Sequence, residues 1–461
     1  MSSFNRRRFL KAFSAGGLAY AVGRTPDYGH AQMIGASAPF NDYRALVCLF
    51  LFGGNDSWNM VVPASQAEYD VYANSRQNLA IARDTLLPVS PLGQAPLSFG
   101  FHPSMPALAS LFEQGSLAVV ANVGPLVTPT TLDAYRNQSV ALPPQLFSHN
   151  DQQDQWHSLR GRAPSRTGWA GRMADLMEAQ TSGQMLSLNL SLAGQSLYQS
   201  AARAVPYTMG ATGPLTFTGF GATDRPLLRQ ASFTNLLEPT PAYATVYERA
   251  FARTQRRAVD NAVVVADAIA AAPPLTTIFP SGSTLASQLQ TVARLISVRD
   301  RLRMQRQVFF VSTGGFDTHD AQVDDQPGLL GNVSASLGAF QSALRELGVA
   351  DHVTTFTHSD FGRTLTSNGD GTDHAWGGVQ LVMGDAVLGR RFYGQYPLLR
   401  IGAQAAGDGA DDVGGGRFIP GVSADQYAAT LARWFGIPEA NLSQVAPSIG
   451  NFASRDLGFL T

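Results

Sequence analysis

The chain has 461 residues, 44% of them hydrophobic, with 33 basic and 34 acidic side chains and a formal net charge of −1. That is enough apolar material for a large core, and the charge balance gives no reason to expect nucleic acid or an anionic membrane as a partner. Lys11 is the only lysine and Cys48 the only cysteine, which excludes a lysine base or phosphate-loop lysine beyond the N-terminal segment, an internal disulfide and a thiolate metal cluster.

The chain begins with a basic stretch, Arg6-Arg7-Arg8-Phe9-Leu10-Lys11, followed by the uncharged, small and apolar residues Ala12 to Gly23. A bilayer span needs about 20 apolar residues, so this shorter run reads as a targeting segment and not as a transmembrane helix. Arg6-Arg7 resembles the twin-arginine export pattern, with Asn5 where Ser or Thr is usual. It predicts a signal peptide over residues 1–31, passage through the twin-arginine machinery, and a periplasmic or secreted mature protein. The cut is expected after Ala31, and Ala36 to Ala38 offers a second point. Removing residues 1–31 leaves 28 basic against 33 acidic side chains, a net charge of −5.

Ala45 to Phe52 is a continuous apolar run stopped by Gly53-Gly54, the pattern of a parallel strand covered on both faces. A helix from Pro103 to Gln114 and a second buried strand from Leu117 to Asn122 follow. From Pro143 the chain turns polar through Ser148-His149-Asn150-Asp151 to Trp156-His157, and Gly168 to Met173 leads into a helix. Leu186 to Asn235 reads as strands and loops, and helices are expected over Tyr243–Ala271 and Ser287–Arg306. The segment 186–300 is therefore expected to be a cap or insertion, with a helical part, on a single domain spanning 40–461. Strands at Val308–Val311 and Val353–Thr357 flank a helix at Val333–Leu347, which completes the strand and helix alternation of an α/β fold with a mostly parallel central sheet. A last strand at Val379–Met383, a surface loop at Asp408–Gly416 and a helix at Ala424–Phe435 close the chain.

Polar sets crowd the ends of three strands, where open α/β sheets collect their sites. They are Gly53-Gly54-Asn55-Asp56, Gly314-Gly315-Phe316-Asp317-Thr318-His319, and Ser359-Asp360-Phe361-Gly362-Arg363 with Gly371-Thr372-Asp373-His374. Each has an ordinary structural reading: a capping turn for Asp317 to His319, a turn with a surface histidine for Gly371 to His374, a cap for Asp56, and an Asp360–Arg363 pair. Taken together, carboxylates and imidazoles drawn from several strand ends are the mixed donors that suit zinc or manganese.

In these segments the sequence resembles the bacterial domain family of unknown function numbered 1501, which is placed in the alkaline phosphatase-like superfamily. The matching stretches are Phe52-Gly-Gly-Asn-Asp56 through Pro63, Ser148-His149 through Trp156, Thr167 through Arg172, Gly315-Phe-Asp317-Thr-His319, Ser359-Asp-Phe-Gly-Arg363, Gly371 through Gly378, and Asp425 through Thr430. The resemblance implies an alkaline phosphatase/sulfatase-like core with one or two divalent ions above the strand ends. It further implies Asp317, His319 and His374 as ligands of one ion, Asp56 and Asp360 as ligands of the other, and Ser148 as nucleophile, with His149, Asp151 or Asp154 assisting. Asp360 stands where the family usually has Glu, a carboxylate that reaches about 1.5 Å less.

The expected activity is hydrolysis of a small-molecule or polysaccharide phosphate or sulfate ester, with Arg363 clamping the anionic oxygens. Two rivals stand beside it: an exported protein that holds a metal without turnover, and a carbohydrate-binding protein with a cleft lined by Trp58, Trp156, Trp169 and Trp376.

Overall fold

A computed structural model describes residues 40–93, 98–161, 164–215, 217, 219–221, 223–238, 243–402 and 412–461. The arginine pair and the expected signal peptide lie outside the described residues. Among these residues no helix is long and apolar enough to cross a membrane.

The strands in chain order are β1 (Arg44–Leu51), β2 (Val61–Pro63), β3 (Leu87–Val89), β4 (Phe99–Phe101), β5 (Leu117–Gly124), β6 (Asn189–Ser191), β7 (Tyr207–Thr208), β8 (Arg306–Thr313), β9 (Val353–Ser359), β10 (Gly378–Met383), β11 (Phe392–Tyr393) and β12 (Val422–Ser423). Nine of them form one mixed sheet in the order β11-β5-β10-β9-β1-β8-β6-β7, with β12 also on β5; β2, β4 and β3 form a small sheet of their own. In the large sheet β10 runs antiparallel to both its neighbours, and the other described pairings are parallel. The fold is thus α/β, with a mostly parallel central sheet flanked by helices.

The longer helices are α1 (Gln66–Arg76), α2 (Pro106–Glu113), α3 (His149–Ser158), α4 (Trp169–Leu176), α5 (Asp224–Leu236), α6 (Val246–Ala270), α7 (Thr284–Ser297), α8 (Gln322–Glu346) and α9 (Ala424–Phe435). Register and the two-residue period of a strand put Cys48 and Phe50 of β1, Phe310 of β8, and Phe356 and His358 of β9 on one face. Trp156 and His157 of α3, Trp169 of α4 and Tyr427 of α9 pack their rings there. Elsewhere α7 packs on β8 and on α8, and α8 packs on α2. With helices covering it, β1 can be apolar on both sides, and from Ala45 to Leu51 it is buried throughout. Burial pushes the Cys48 thiol up and leaves it no role as a nucleophile.

Three segments differ from the expectation. The polar stretch after Ser148 is a helix, α3, which turns Gln152, Trp156 and His157 inward. Helix α8 starts at Gln322 and carries Gln326-Pro327-Gly328 inside it, against the usual breaking signal. Tertiary contacts override that signal: Gln326 donates to the Asp56 carbonyl at 2.9 Å and accepts from Asn59 at 3.1 Å. Arg306 does not end a helix but opens β8, and α7 stops at Ser297.

The chain divides into two compact units, and the described part of the smaller one lies within residues 213–271. Residues 189–191 and 207–208 are strands of the main sheet, and α7 belongs to the larger unit. Within the smaller unit α6 begins with a reciprocal cap between Thr245 and Glu248, and Phe217, Phe220 and Phe233 form a ring cluster. Helix α5 buries none of its residues.

The tryptophan-lined cleft is also corrected. Trp58, Trp156, Trp169 and Trp376 are at most 1% exposed and belong to the core, with the Trp58 and Trp376 indoles donating to the carbonyls of Arg363 and Pro125.

Candidate metal centre

Because β10 runs against the other strands, its start lies beside the carboxyl ends of β8 and β9. The chain from β9 to β10 returns on itself there: Arg363 and His374 form an antiparallel bridge, Gly362 N–H donates to Trp376 O at 3.0 Å, and Thr364 N–H donates to Asp373 O at 2.9 Å. This ties the Asp360–Arg363 segment to the Asp373–His374 segment. Two glycines let the turn after β8 approach its neighbours. Gly53 has φ of 114°, and an added Cβ would sit 2.3 Å from the Asp317 backbone nitrogen; one on Gly371 would sit 2.3 Å from the Thr318 carbonyl oxygen.

Three imidazoles converge on the Asp317 carboxylate. His319 Nε2 and His374 Nε2 lie 3.1 and 3.4 Å from Asp317 Oδ1, and His149 Nε2, at the first turn of α3, lies 3.4 Å from Oδ2. The two facing nitrogens of His319 and His374 are 2.8 Å apart. One donor atom each from His149, Asp317 and His374 falls within 4.8 Å of the others.

The other ring nitrogens decide what these atoms are. His149 Nδ1 donates to Asp360 Oδ2 at 2.6 Å, His374 Nδ1 donates to the Phe147 carbonyl at 2.8 Å, and His319 Nδ1 lies 3.3 Å from Asp373 Oδ1. With the His149 and His374 protons held at Nδ1, the Nε2 atoms of these two rings present lone pairs toward Asp317. His374 Nε2 and the Asp317 carboxylate are thus acceptors that both face His319 Nε2, and a proton on that nitrogen or a cation among them relieves their repulsion. Oxygen-anchored imidazoles of this kind are the usual outer support of metal ligands. Donors of a tetrahedral zinc stand about 3.3–3.6 Å apart, given bond lengths of about 2.0–2.2 Å. The Asp317 to imidazole distances of 3.1–3.4 Å are close to that spacing, and the His319 and His374 nitrogens, at 2.8 Å, would move apart to share an ion, so the chemistry of the donor set fits a divalent ion.

The electrostatics agree. Burial works to raise the Asp317 carboxyl pKa, but the Arg363 hydrogen bond and charge, with His149 and His319, hold it below the usual carboxylate value. Burial lowers the pKa of His374, helped by the charges of His149, Arg363 and His319 and opposed by the bond to Phe147 O. Both shifts favour the deprotonated ligand forms.

The remaining expected site residues fall elsewhere. Asp360 is buried behind His149, where it also accepts from Gln153 Nε2 at 2.9 Å and leaves Oδ1 without a partner. Asp56 does not join the cluster. Its Oδ2 takes an ion pair from Arg76 and a hydrogen bond from Gln322 Nε2, and both side chains of the ion pair are fully buried. Hence Asp56 and Asp360 do not form a second donor set.

Arg363 is 0% exposed, and its guanidinium is engaged inside the protein by Asp317 Oδ1 and Gly53 O at 2.9 Å and by Thr372 Oγ1 at 3.0 Å and Thr372 O. It therefore fixes the Asp317 carboxylate and has no free edge for a substrate. Ser148 Oγ donates to Asp151 Oδ2 at 2.6 Å. His149, which the resemblance suggested only as one of three residues that help bind metal or substrate, is central. Its signal was the Ser148-His149 start of a polar helix.

A cleft of about 430 Å³ opens over His319, Asp373 and His374 and is walled by Tyr135, Phe147, Val413 and Arg417. Arg417 had no assigned role in the sequence.

A family model described as "Protein of unknown function (DUF1501)" matches residues 43–411. The chain belongs to that family. Among curated proteins none matches the DUF1501 chain significantly. Solved structures resemble it faintly. Ps i-CgsB is 10% identical over 89% of this chain and 77% of its own, with a TM-score of 0.36. The lipoteichoic acid synthase LtaP from Listeria monocytogenes is 10% identical over 90% and 79%, with a TM-score of 0.33. A mutant of the alkaline phosphatase PafA is 9% identical over 70% and 64%, with a TM-score of 0.28. At such scores the metal centre of the DUF1501 chain stands on its own side chains.

Proposed function

We propose that this protein is an exported, metal-dependent hydrolase of phosphate or sulfate esters, and the observation that carries the reading is the convergence of three imidazoles, two of them anchored on oxygen, on Asp317. His149, His319, His374 and Asp317 would hold one divalent ion, with zinc or manganese best suited to the donors. Such an ion supplies Lewis acidity toward an ester oxygen and makes water or a hydroxyl a competent nucleophile at neutral pH.

The protein's own residues do the rest. Asp360 and the Phe147 carbonyl set the tautomers of His149 and His374, Asp373 lies beside His319 Nδ1, and Arg363 keeps Asp317 ionised and in place. Ser148 remains the nucleophile candidate, with Asp151 positioned to accept its proton. Export through the twin-arginine pathway, which translocates folded chains, would let the ion be chosen before the protein leaves the cytoplasm.

A second reading, a protein that holds a metal without turnover, is favoured by one observation: the Ser148 side chain is committed to Asp151 and does not line the cleft. Metal content and turnover separate the two. Protein purified under mild conditions is expected to carry about one divalent ion and to hydrolyse aryl phosphates or aryl sulfates. Asp317→Asn and His374→Ala are expected to lose both. Metal without turnover selects the second reading, and unchanged metal and activity in both folded variants defeats both readings.

A further inference from the structure

Arg417 is the cationic side chain on the cleft wall, and its loop is built to present it. The Asp412 carboxylate, 1% exposed, accepts backbone N–H bonds from Gly414 at 2.7 Å, Gly416 at 2.8 Å and Arg417 at 3.0 Å. Gly414, Gly415 and Gly416 all have positive φ, and a Cβ on Gly416 would sit 2.2 Å from that of Leu365, so the turn is held against the segment that follows Arg363. Asp412 also bridges to Phe418 and closes the turn on itself.

The guanidinium is anchored on one side only. Nε donates to the His374 carbonyl at 2.9 Å, Nη1 donates to Gly414 O at 3.0 Å, and the group lies 5.5 Å from the centre of the Phe147 ring. Arginine has five N–H donors. Nη2 and the second hydrogen of Nη1 have no hydrogen-bond partner among the described residues, and no carboxylate among them pairs with this arginine. Asp373, the acidic group on the same wall, already faces His319 Nδ1 and accepts from Asn368 Nδ2, each at 3.3 Å. Arg363 contrasts at every point: it is sealed in the protein and its guanidinium is bonded at all three nitrogens.

We propose that Arg417 forms an anion-binding subsite beside the metal centre, which takes the non-reacting oxygens of a tetrahedral phosphoryl or sulfuryl group while Tyr135, Phe147 and Val413 receive the ring of an aryl or sugar alcohol. This rests on the hydrolase reading for the identity of the substrate, but not for the affinity of the cleft for an oxyanion. A guanidinium held by its Nε side keeps two N–H-bearing nitrogens directed as a fork, the geometry that tetrahedral oxyanions accept. Fixing it on its own loop lowers the entropy lost on binding.

The test is calorimetric titration of inorganic phosphate and inorganic sulfate into the full chain, with and without bound metal, for wild type, Arg417→Gln and Arg417→Lys. Metal content and thermal melting are measured on each. Arg417→Gln is expected to weaken phosphate binding about 10- to 100-fold, the value of a charge-assisted hydrogen bond, with metal content unchanged. Arg417→Lys, which restores charge but not the fork, is expected to fall between. If Arg417→Gln disturbs the loop, the comparison of Arg417→Lys with wild type carries the test. Equal phosphate affinity in wild type and variants, or a wild type that binds neither anion, overturns the subsite. If wild type takes up no metal, the hydrolase reading fails by itself, and the metal-free titrations still decide whether Arg417 binds the anion.

Discussion

Asp56 and Asp317 start from the same local design and end in opposite states. Each follows a strand of the parallel set and a pair of glycines, and each stands at a carboxyl end of the sheet. Asp56 is fully buried against Arg76, whereas the Asp317 side chain is 48% exposed beneath three imidazoles. The same carboxylate is a structural anchor in one place and a metal-ligand candidate in the other, because each has an arginine but the fold seals the first in the interior and leaves the second half-exposed among imidazole nitrogens.

The largest effect that sharpens this contrast is expected from Asp56→Ala. It would strand the Arg76 charge in the interior and cost about 3–5 kcal/mol of stability. Urea unfolding checks it. If the variant keeps its stability and instead loses metal, Asp56 is a ligand after all and the contrast breaks.

Asp317→Asn keeps an oxygen for Arg363 and so is expected to change stability by about 1 kcal/mol or less. Its metal affinity should fall by more than the about 10- to 100-fold typical of an outer-shell loss, read by competition with a chelator. Asp360→Ala probes that outer shell. By freeing His149 Nδ1 it is expected to weaken the metal about 10- to 100-fold without removing a ligand. No change there would mean that His149 is not a ligand.

The smallest effect concerns pH. His374 has its pKa lowered in the folded protein, so the unfolded chain takes up that proton first as pH falls. The stability it contributes is full above the ordinary histidine value of about 6.5 and is lost as pH drops from there through the folded pKa. Metal-free protein followed by urea midpoint from pH 8 to 5 should show a decline that His374→Gln makes shallower. A decline of the same slope in the variant assigns it to other groups.

Much of the fold was legible in the sequence. The apolar runs at Ala45 to Phe52, Leu117 to Asn122 and Val308 to Val311 are strands, and Ala424 to Phe435 is a helix. The polar sets at strand ends were legible too, but it was the family resemblance that grouped Asp317, His319 and His374, which the fold brings together. The antiparallel course of β10 was not, because an apolar run carries no sign of its direction, nor was the helical course of α3, whose inward face is partly polar. The Asp408–Gly416 stretch read as surface loop; its residues 408–411 lie outside the described residues, and its end, with Asp412 and Gly416 buried, is the turn that carries Arg417.

The sequence by itself determined the family, the sheet-forming segments and the kinds of donor available, since apolar periodicity and short motifs are local properties of the chain. Only the tertiary structure decided which donors meet. Arg76 claims Asp56 across 20 positions, while His149 and Arg417 join His374 from 225 and 43 positions away. A side chain takes its partner by distance in space, and no local pattern records that choice.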